Sequence, residues 1–369
     1  MSMKPYILFV TMALVSCNNS LESRLDRFLK PIFPANEPGA AILVLKGNDI
    51  LFDKGYGLAR MEQAENPKIN GDTHFNIASV SKQFTSVAIL QLVQEGKITL
   101  DDPVSKFFPE FESGIWDEIH IKHLLSHSSG IPDVRADILT REQRVFGDED
   151  LSVEYMKTLD HRNFAPGTAY EYMNPTYTLM GFLVERVSGE PFTEYVQKHI
   201  FNAAGMDNTY YFDRDNQRPD ASHGYVDDNG WKEYDFGEET FFATRPDGGI
   251  YTTTHDFVKW EMALREGKVL APDLLELAMT EHTHVSDSPW SDYQNRPNTW
   301  YGYGWFIEPA LEDAPRRVYH TGDNGGFMIM AARYPEQDLL ILIFANRNDW
   351  DRYELLMKLE KEIFYNEND

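Results

Sequence analysis

Only one cysteine, Cys17, occurs among the 369 residues, so no disulfide can form within the chain. Cations are scarce as well: 34 Lys and Arg stand against 59 Asp and Glu, a formal net charge of −25, with no basic stripe. Binding to a phosphate backbone needs clustered cations, so this balance argues against a nucleic-acid partner. It leaves a solvated acidic surface, or a field that repels anionic substrates and attracts cationic ones. The chain also lacks an internal repeat, a linker long enough to separate independent domains, and the G-x-S-x-G signature of one large hydrolase group. The histidine pairs His120/His123 and His282/His284 have metal-like spacing, but no carboxylate or cysteine cluster completes a site. Surface histidines explain them, and neither a metal nor another cofactor is expected. What is present is ample apolar material, 42% hydrophobic and 13% aromatic residues, enough for a substantial core in one large or two intertwined domains.

The first residues carry one charge, Lys4, followed by an apolar run from Tyr6 to Val15. That run is too short to cross a bilayer and suits the central region of an export signal. It ends in Leu14-Val15-Ser16-Cys17, which resembles the lipobox of bacterial lipoproteins. The resemblance implies a signal peptide over residues 1–16, lipidation of Cys17, and a protein held to a membrane of the bacterial cell envelope by its acyl chains. An ordinary signal peptide that happens to hold a cysteine, or a buried free thiol, is the alternative.

Residues 17–34 read as a tether running into a short helix, Leu21 to Leu29. A catalytic domain is expected over residues 35–369. Ala40 to Lys46 and Ile50 to Tyr56 are β-prone runs around Gly47-Asn48-Asp49, the pattern of a hairpin. A strongly apolar helix follows over Ser79 to Gln94, with apolar positions too numerous for one stripe, so it should be mostly buried. Helical patterns dominate a stretch of about 97–240. There Asn174-Pro175 reads as an N-cap with proline at the first helical position, Pro191 opens a further helix, and the acidic Asp213 to Glu239 segment reads as surface excursions. Thr254 caps another helix. Strand character returns in Tyr301 to Glu308, Met328 to Arg333 and Leu339 to Ala345, and a helix from Asp351 to Phe364 closes the chain. Strands at both ends with helices between predict an α+β fold: one antiparallel sheet built from the two terminal regions, flanked by helices, with a mainly helical insertion.

Ser79 and Lys82 lie three residues apart, hence on one face of their helix. Serine is a weak nucleophile until a base takes its proton, and lysine serves as that base only if its own proton is loosened. Burial in an apolar helix and the positive end of the helix dipole would both do so. Taken alone, the pair fits a capping serine and a surface lysine equally well. Two further clusters are Tyr172-Met173-Asn174, at a helix start, and His320-Thr321-Gly322, just before a strand hairpin.

In the order S-x-x-K, Y-x-N, H-T-G, these three clusters resemble the serine β-lactamase-like and penicillin-binding-protein family. Leu124 to Pro132 (LLSHSSGIP), Pro246 to Thr253 (PDGGIYTT) and Tyr301 to Trp305 (YGYGW) extend the likeness. The family includes class C β-lactamases, D-Ala-D-Ala carboxypeptidases, D-aminopeptidases and esterases. The resemblance implies the β-lactamase/transpeptidase-like fold and a serine hydrolase acting on a small-molecule or peptide substrate. Ser79 would become the acyl-enzyme, Lys82 would accept or relay its proton, and Tyr172 would act as base or acid. Asn174 would bind the substrate amide, and His320, Thr321 and Gly322 would line the strand along which substrate lies. The backbone N–H groups of Ser79 and Asp323 would form an oxyanion hole, about 3–4 kcal/mol per donor.

Plainer roles stand beside these. Asn174 could serve only as a cap, Tyr172 could be a core aromatic with Tyr170 the better match, His320 could be structural, and Gly248-Gly249 could permit close strand approach or positive φ. Most β-lactamases place lysine where His320 stands. A histidine near neutral pH is only partly charged, which puts β-lactamase activity behind peptidase and esterase activity. Asp323-Asn324 adds an anionic group near the implied carboxylate pocket and mildly favours neutral or amine-bearing substrates. A non-catalytic envelope protein with a binding or sensing role, and a soluble cytoplasmic hydrolase, are the competing classes.

Overall fold

The computed structural model describes residues 20–61, 67–111, 113–134, 149–212, 218, 220–234, 244–291, 296, 298–312 and 314–364. The expected signal peptide and Cys17 lie outside them, as do 213–217, 219 and 235–239 of the acidic segment, whose described part includes two short strands.

In chain order the strands are β1 (Ala40–Lys46), β2 (Asp49–Tyr56), β3 (Phe75–Asn76), β4 (Tyr210–Tyr211), β5 (Tyr225–Asp227), β6 (Trp231–Glu233), β7 (Ile250–Thr252), β8 (Thr283–His284), β9 (Trp300–Tyr301), β10 (Phe306–Glu308), β11 (Arg317–Asn324), β12 (Phe327–Tyr334) and β13 (Leu339–Ala345). Eight form one antiparallel sheet in the order β2-β1-β13-β12-β11-β10-β9-β8. β1 pairs with β13 from Ala40↔Ala345 to Lys46↔Leu339, so the sheet joins the two ends of the chain as the pattern of strands predicts. β3, β7 and β4 make a separate three-stranded sheet, and β5 pairs with β6.

The central strands are apolar without alternation because both faces of the sheet are covered. Ala40, Ile42 and Val44 of β1 pack, with Ile341 and Ile343 of β13, under Leu25 and Leu29 of the first helix and Leu355, Leu356 and Leu359 of the last. Their neighbours Ala41, Leu43, Leu45, Leu340, Leu342 and Phe344 face the larger core, which holds the Lys82–Gln94 helix. That helix is buried all round from Lys82 to Leu92, as its lack of a single stripe predicts.

Several boundaries differ from expectation. The first helix spans Leu21–Ile32 and docks on the sheet, so much of the expected tether belongs to the folded domain. Tyr301 to Glu308 is two strands, β9 and β10, folded back so that Phe306 faces Tyr301; the reversal turns on Gly304 at φ +94°. Thr253, not Thr254, caps the Thr254–Arg265 helix by accepting the Asp256 N–H. The His320-Thr321-Gly322 cluster lies inside β11 rather than ahead of the hairpin.

Candidate active site

The expected Ser79–Gln94 helix begins with a 3₁₀ turn, Ala78–Ser81, and becomes α-helical at Lys82. With three residues per turn, positions i and i+3 eclipse, which sets Lys82 directly under Ser79. Lys82 Nζ lies 3.1 Å from Ser79 Oγ. The turn is entered in strain: Ala78, a non-glycine, has φ +46°. Asn76 helps hold it there by accepting the Ala78 N–H at 2.8 Å, while Ile77 N–H donates to Ile250 O across from β7.

Ser79 is half-buried and Lys82 has no exposed surface. The lysine also donates to Asp247 O at 2.9 Å, and its Nζ sits 5.0 Å and 5.4 Å from the ring centres of Tyr172 and Tyr177. The buried carboxylate of Asp247 reaches within 3.9 Å of the same nitrogen. Burial disfavours a charged amine here, whereas Asp247 and the two aromatic faces favour it. Asp247 therefore belongs to the site. In the sequence it was visible only as the residue before Gly248-Gly249, both of which have negative φ.

Tyr172 and Asn174 come from the start of the Asn174–Ser188 helix. Met173 occupies the N-cap position and Asn174 is the first helical residue, so Asn174 is not the capping side chain its place before Pro175 suggests. Its Oδ1 is buried without a hydrogen-bond partner among the described residues. Tyr170 is wholly buried in the core behind the sheet, whereas Tyr172 is half-buried and faces Lys82.

β11 pairs with β12 from Val318 to Asn324, but β10 covers its other side only from Arg317 to Tyr319. From His320 onward that side of the strand carries no strand partner among the described residues. Gly322 is there for space: a Cβ would stand 2.3 Å from Ile77 O, so only glycine lets the strand run against the serine turn. His320 is 1% exposed. Its Nδ1–H donates to Thr321 O at 2.7 Å, and its Nε2 accepts the Tyr301 hydroxyl at 2.9 Å. Burial, aided by the nearby charge of Lys82, pushes its pKa down to about 3. The partly charged histidine expected at this position is instead neutral. Thr321 is buried beside it. The Asp323 carboxylate is exposed and ion-paired with Arg352, whose guanidinium also donates to Gly322 O and Ile329 O. With its charge answered in this way, Asp323 is a weak reason to expect anions to be repelled.

Among the described residues no group of three His, Cys, Asp or Glu is arranged to hold a metal ion. The histidine pairs are half-buried rather than superficial, and packed: His120 stacks on His123, and His282 stacks on Tyr303 and bonds Leu277 O. No described helix is long and apolar enough to cross a membrane.

The structure thus gathers Ser79, Lys82, Tyr172 and the His320-Thr321-Gly322 strand around one point, and comparison with known proteins gives that point a family. The chain is 26% identical over 338 residues to penicillin-binding protein 4* of Bacillus subtilis, covering 88% of this chain and 72% of that protein. It is 27% identical over 352 residues to protein flp of Staphylococcus aureus, covering 94% and 67%. Among solved structures it resembles a penicillin-binding protein from Bacillus halodurans, with a TM-score of 0.77 at 28% identity over 93% of this chain and 98% of that one. A D-stereospecific amidohydrolase from Streptomyces shares the fold, with a TM-score of 0.73 at 23% identity over 93% and 98%. The β-lactamase family model matches residues 26–361, and the chain belongs to that family of serine hydrolases.

Proposed function

We propose that the protein cleaves a peptide, amide or ester through an acyl-enzyme on Ser79. The observation that carries this reading is the Lys82 amine, 3.1 Å from the Ser79 hydroxyl and roofed by the Tyr172 ring. Ser79 Oγ attacks the substrate carbonyl while its proton passes to Lys82 or Tyr172 and on to the leaving group. The Asn174 side chain, with an unused buried acceptor, binds the substrate amide N–H. The backbone N–H groups of Ser79 and Asp323 receive the developing oxyanion, and substrate lies along Thr321 and Gly322. Water then cleaves the ester.

A neutral His320 supplies no fixed cation for a substrate carboxylate. This supports cleavage of D-amino-acid amides or esters, whose recognition needs no such cation, ahead of β-lactam hydrolysis; carboxypeptidase activity on D-Ala-D-Ala termini stays among the readings to be tested. Incubation with a fluorophosphonate probe should label Ser79, and Ser79→Ala should abolish both labelling and turnover. Unchanged turnover in that variant would sink the proposal, whereas a wild-type protein that neither labels nor turns over any substrate would leave a binding or sensing role. A panel of D-Ala-D-Ala peptides, D-amino-acid amides, nitrophenyl esters and a chromogenic cephalosporin separates the substrate classes. We also propose that lipid at Cys17 anchors the protein in the cell envelope; Cys17→Ser should then release it from the membrane fraction.

A further inference from the structure

The LLSHSSGIP segment, Leu124 to Pro132, contributes no side chain to the chemistry above, yet the Tyr172 segment lies on it. Asn163 N–H donates to Gly130 O at 2.7 Å, Gly167 N–H to Ser128 O at 2.8 Å, and Glu171 N–H to His127 O at 2.9 Å. The last bond in this series changes character, because Met173 N–H donates to a side chain, His127 Nδ1, at 3.1 Å. One residue therefore accepts the N–H groups of both residues that flank Tyr172. Its ring also lies against the phenol it frames, with centroids 4.3 Å apart.

We infer that His127 is the positioning residue of Tyr172, fixing the height of its phenol over Lys82 through the two neighbouring peptides. This rests on the proposed role of Tyr172. Two further observations support it. His127 adopts φ +53°, a left-handed conformation that few non-glycine residues take up and that histidine enters more readily than most. With Nδ1 accepting, the proton sits on Nε2, which is buried without a hydrogen-bond partner among the described residues. A histidine placed only for packing would not need an unmatched donor, since a buried unpaired donor costs stability. Acceptance by Nδ1 also requires a neutral ring, and burial together with the charge of Lys82 holds the His127 pKa well below its ordinary value.

The test is a double-mutant cycle on the rate of Ser79 acylation by a fluorophosphonate and a nitrophenyl ester, with melting temperature followed in parallel. His127→Ala should slow acylation about tenfold, the order expected for losing one buried hydrogen bond and the contact it aligns. His127→Asn should stay within about threefold of wild type, because its Oδ1 occupies the place of Nδ1 and asparagine tolerates positive φ. In a Tyr172→Phe background, His127→Ala should add less than about twofold. If His127→Ala does not fold, His127→Gln replaces it, since its amide oxygen lies one bond too far out. Additive losses, an Asn variant no faster than the Ala or Gln variant, or a Tyr172→Phe enzyme as fast as wild type would each overturn the inference. Failure of wild-type Ser79 to label would instead overturn the proposed function, so the two outcomes stay separate.

Discussion

The two faces of the central sheet are built from different materials. Behind it, the first and last helices lay leucines and an isoleucine on Ile42, Val44, Ile341 and Ile343, and the charged groups stand at the margin. There Asp26 binds Lys54 and Tyr56, and Arg317 bridges Glu308 and Glu360. In front of it, Lys82, which contacts Ser79, is buried, as are Asp247, His127 and His320. The rear face stabilises the fold with groups that ask nothing of water. The front face keeps polar groups dry so that they act on one another, at a cost in stability the rear face must offset.

The largest effect should come from the front. Ser79→Ala should lower kcat/KM for an ester by more than about a thousandfold while moving the melting temperature little, since Ser79 is a half-buried small residue. At the rear, Ile343→Ala should cost about 3 kcal/mol in denaturant unfolding and leave kcat within about twofold. Loss of activity at full stability in that variant would break the division between the faces. Gly322→Ala joins the two effects, because its new methyl meets Ile77 O: about 1–3 kcal/mol should be lost along with most of the acylation rate.

Smaller pH effects sharpen the contrast. For Asp26, burial works to raise the pKa, but bonds from Lys30, Lys54 and Tyr56 outweigh it and bring it down to about 2. Its contribution is therefore present above about pH 4 and fades as pH falls toward 2. Asp26→Asn should melt lower than wild type at neutral pH and equally at pH 2. His320 moves stability in the same direction for the opposite reason, because burial disfavours its charged form rather than partners favouring it. The unfolded chain takes up its proton below about pH 6.5 and the folded one only near 3, so acid drains stability from the front face across that interval. The kcat profile between pH 5 and 8 should carry no step from His320; a step that vanished in His320→Asn would contradict the buried, neutral ring.

Sequence reasoning reached the sheet because β1 and β13 are unbroken apolar runs, and it found Ser79 and Lys82 because their spacing is local. It missed what depends on three-dimensional surroundings. The turn at Gly304 is concealed inside a β-prone run, and the 3₁₀ start of the serine helix has no compositional mark. The neutral state of His320 escapes sequence reasoning because burial and the charge of Lys82, far away in the chain, decide it. Asp247 and His127 lay in segments already noticed, but nothing local says that one faces an amine and the other frames a phenol.

Arg352 carries a consequence for biogenesis. Its guanidinium ties the strand beside Ser79 at Gly322, Ile329 and Asp323, and it begins the helix that follows β13. Synthesis delivers the nucleophile more than two hundred residues before this clasp arrives, so a half-made chain holds a serine with no working surroundings. Until the last helix is made and docked, the strand beside the nucleophile lacks this clasp.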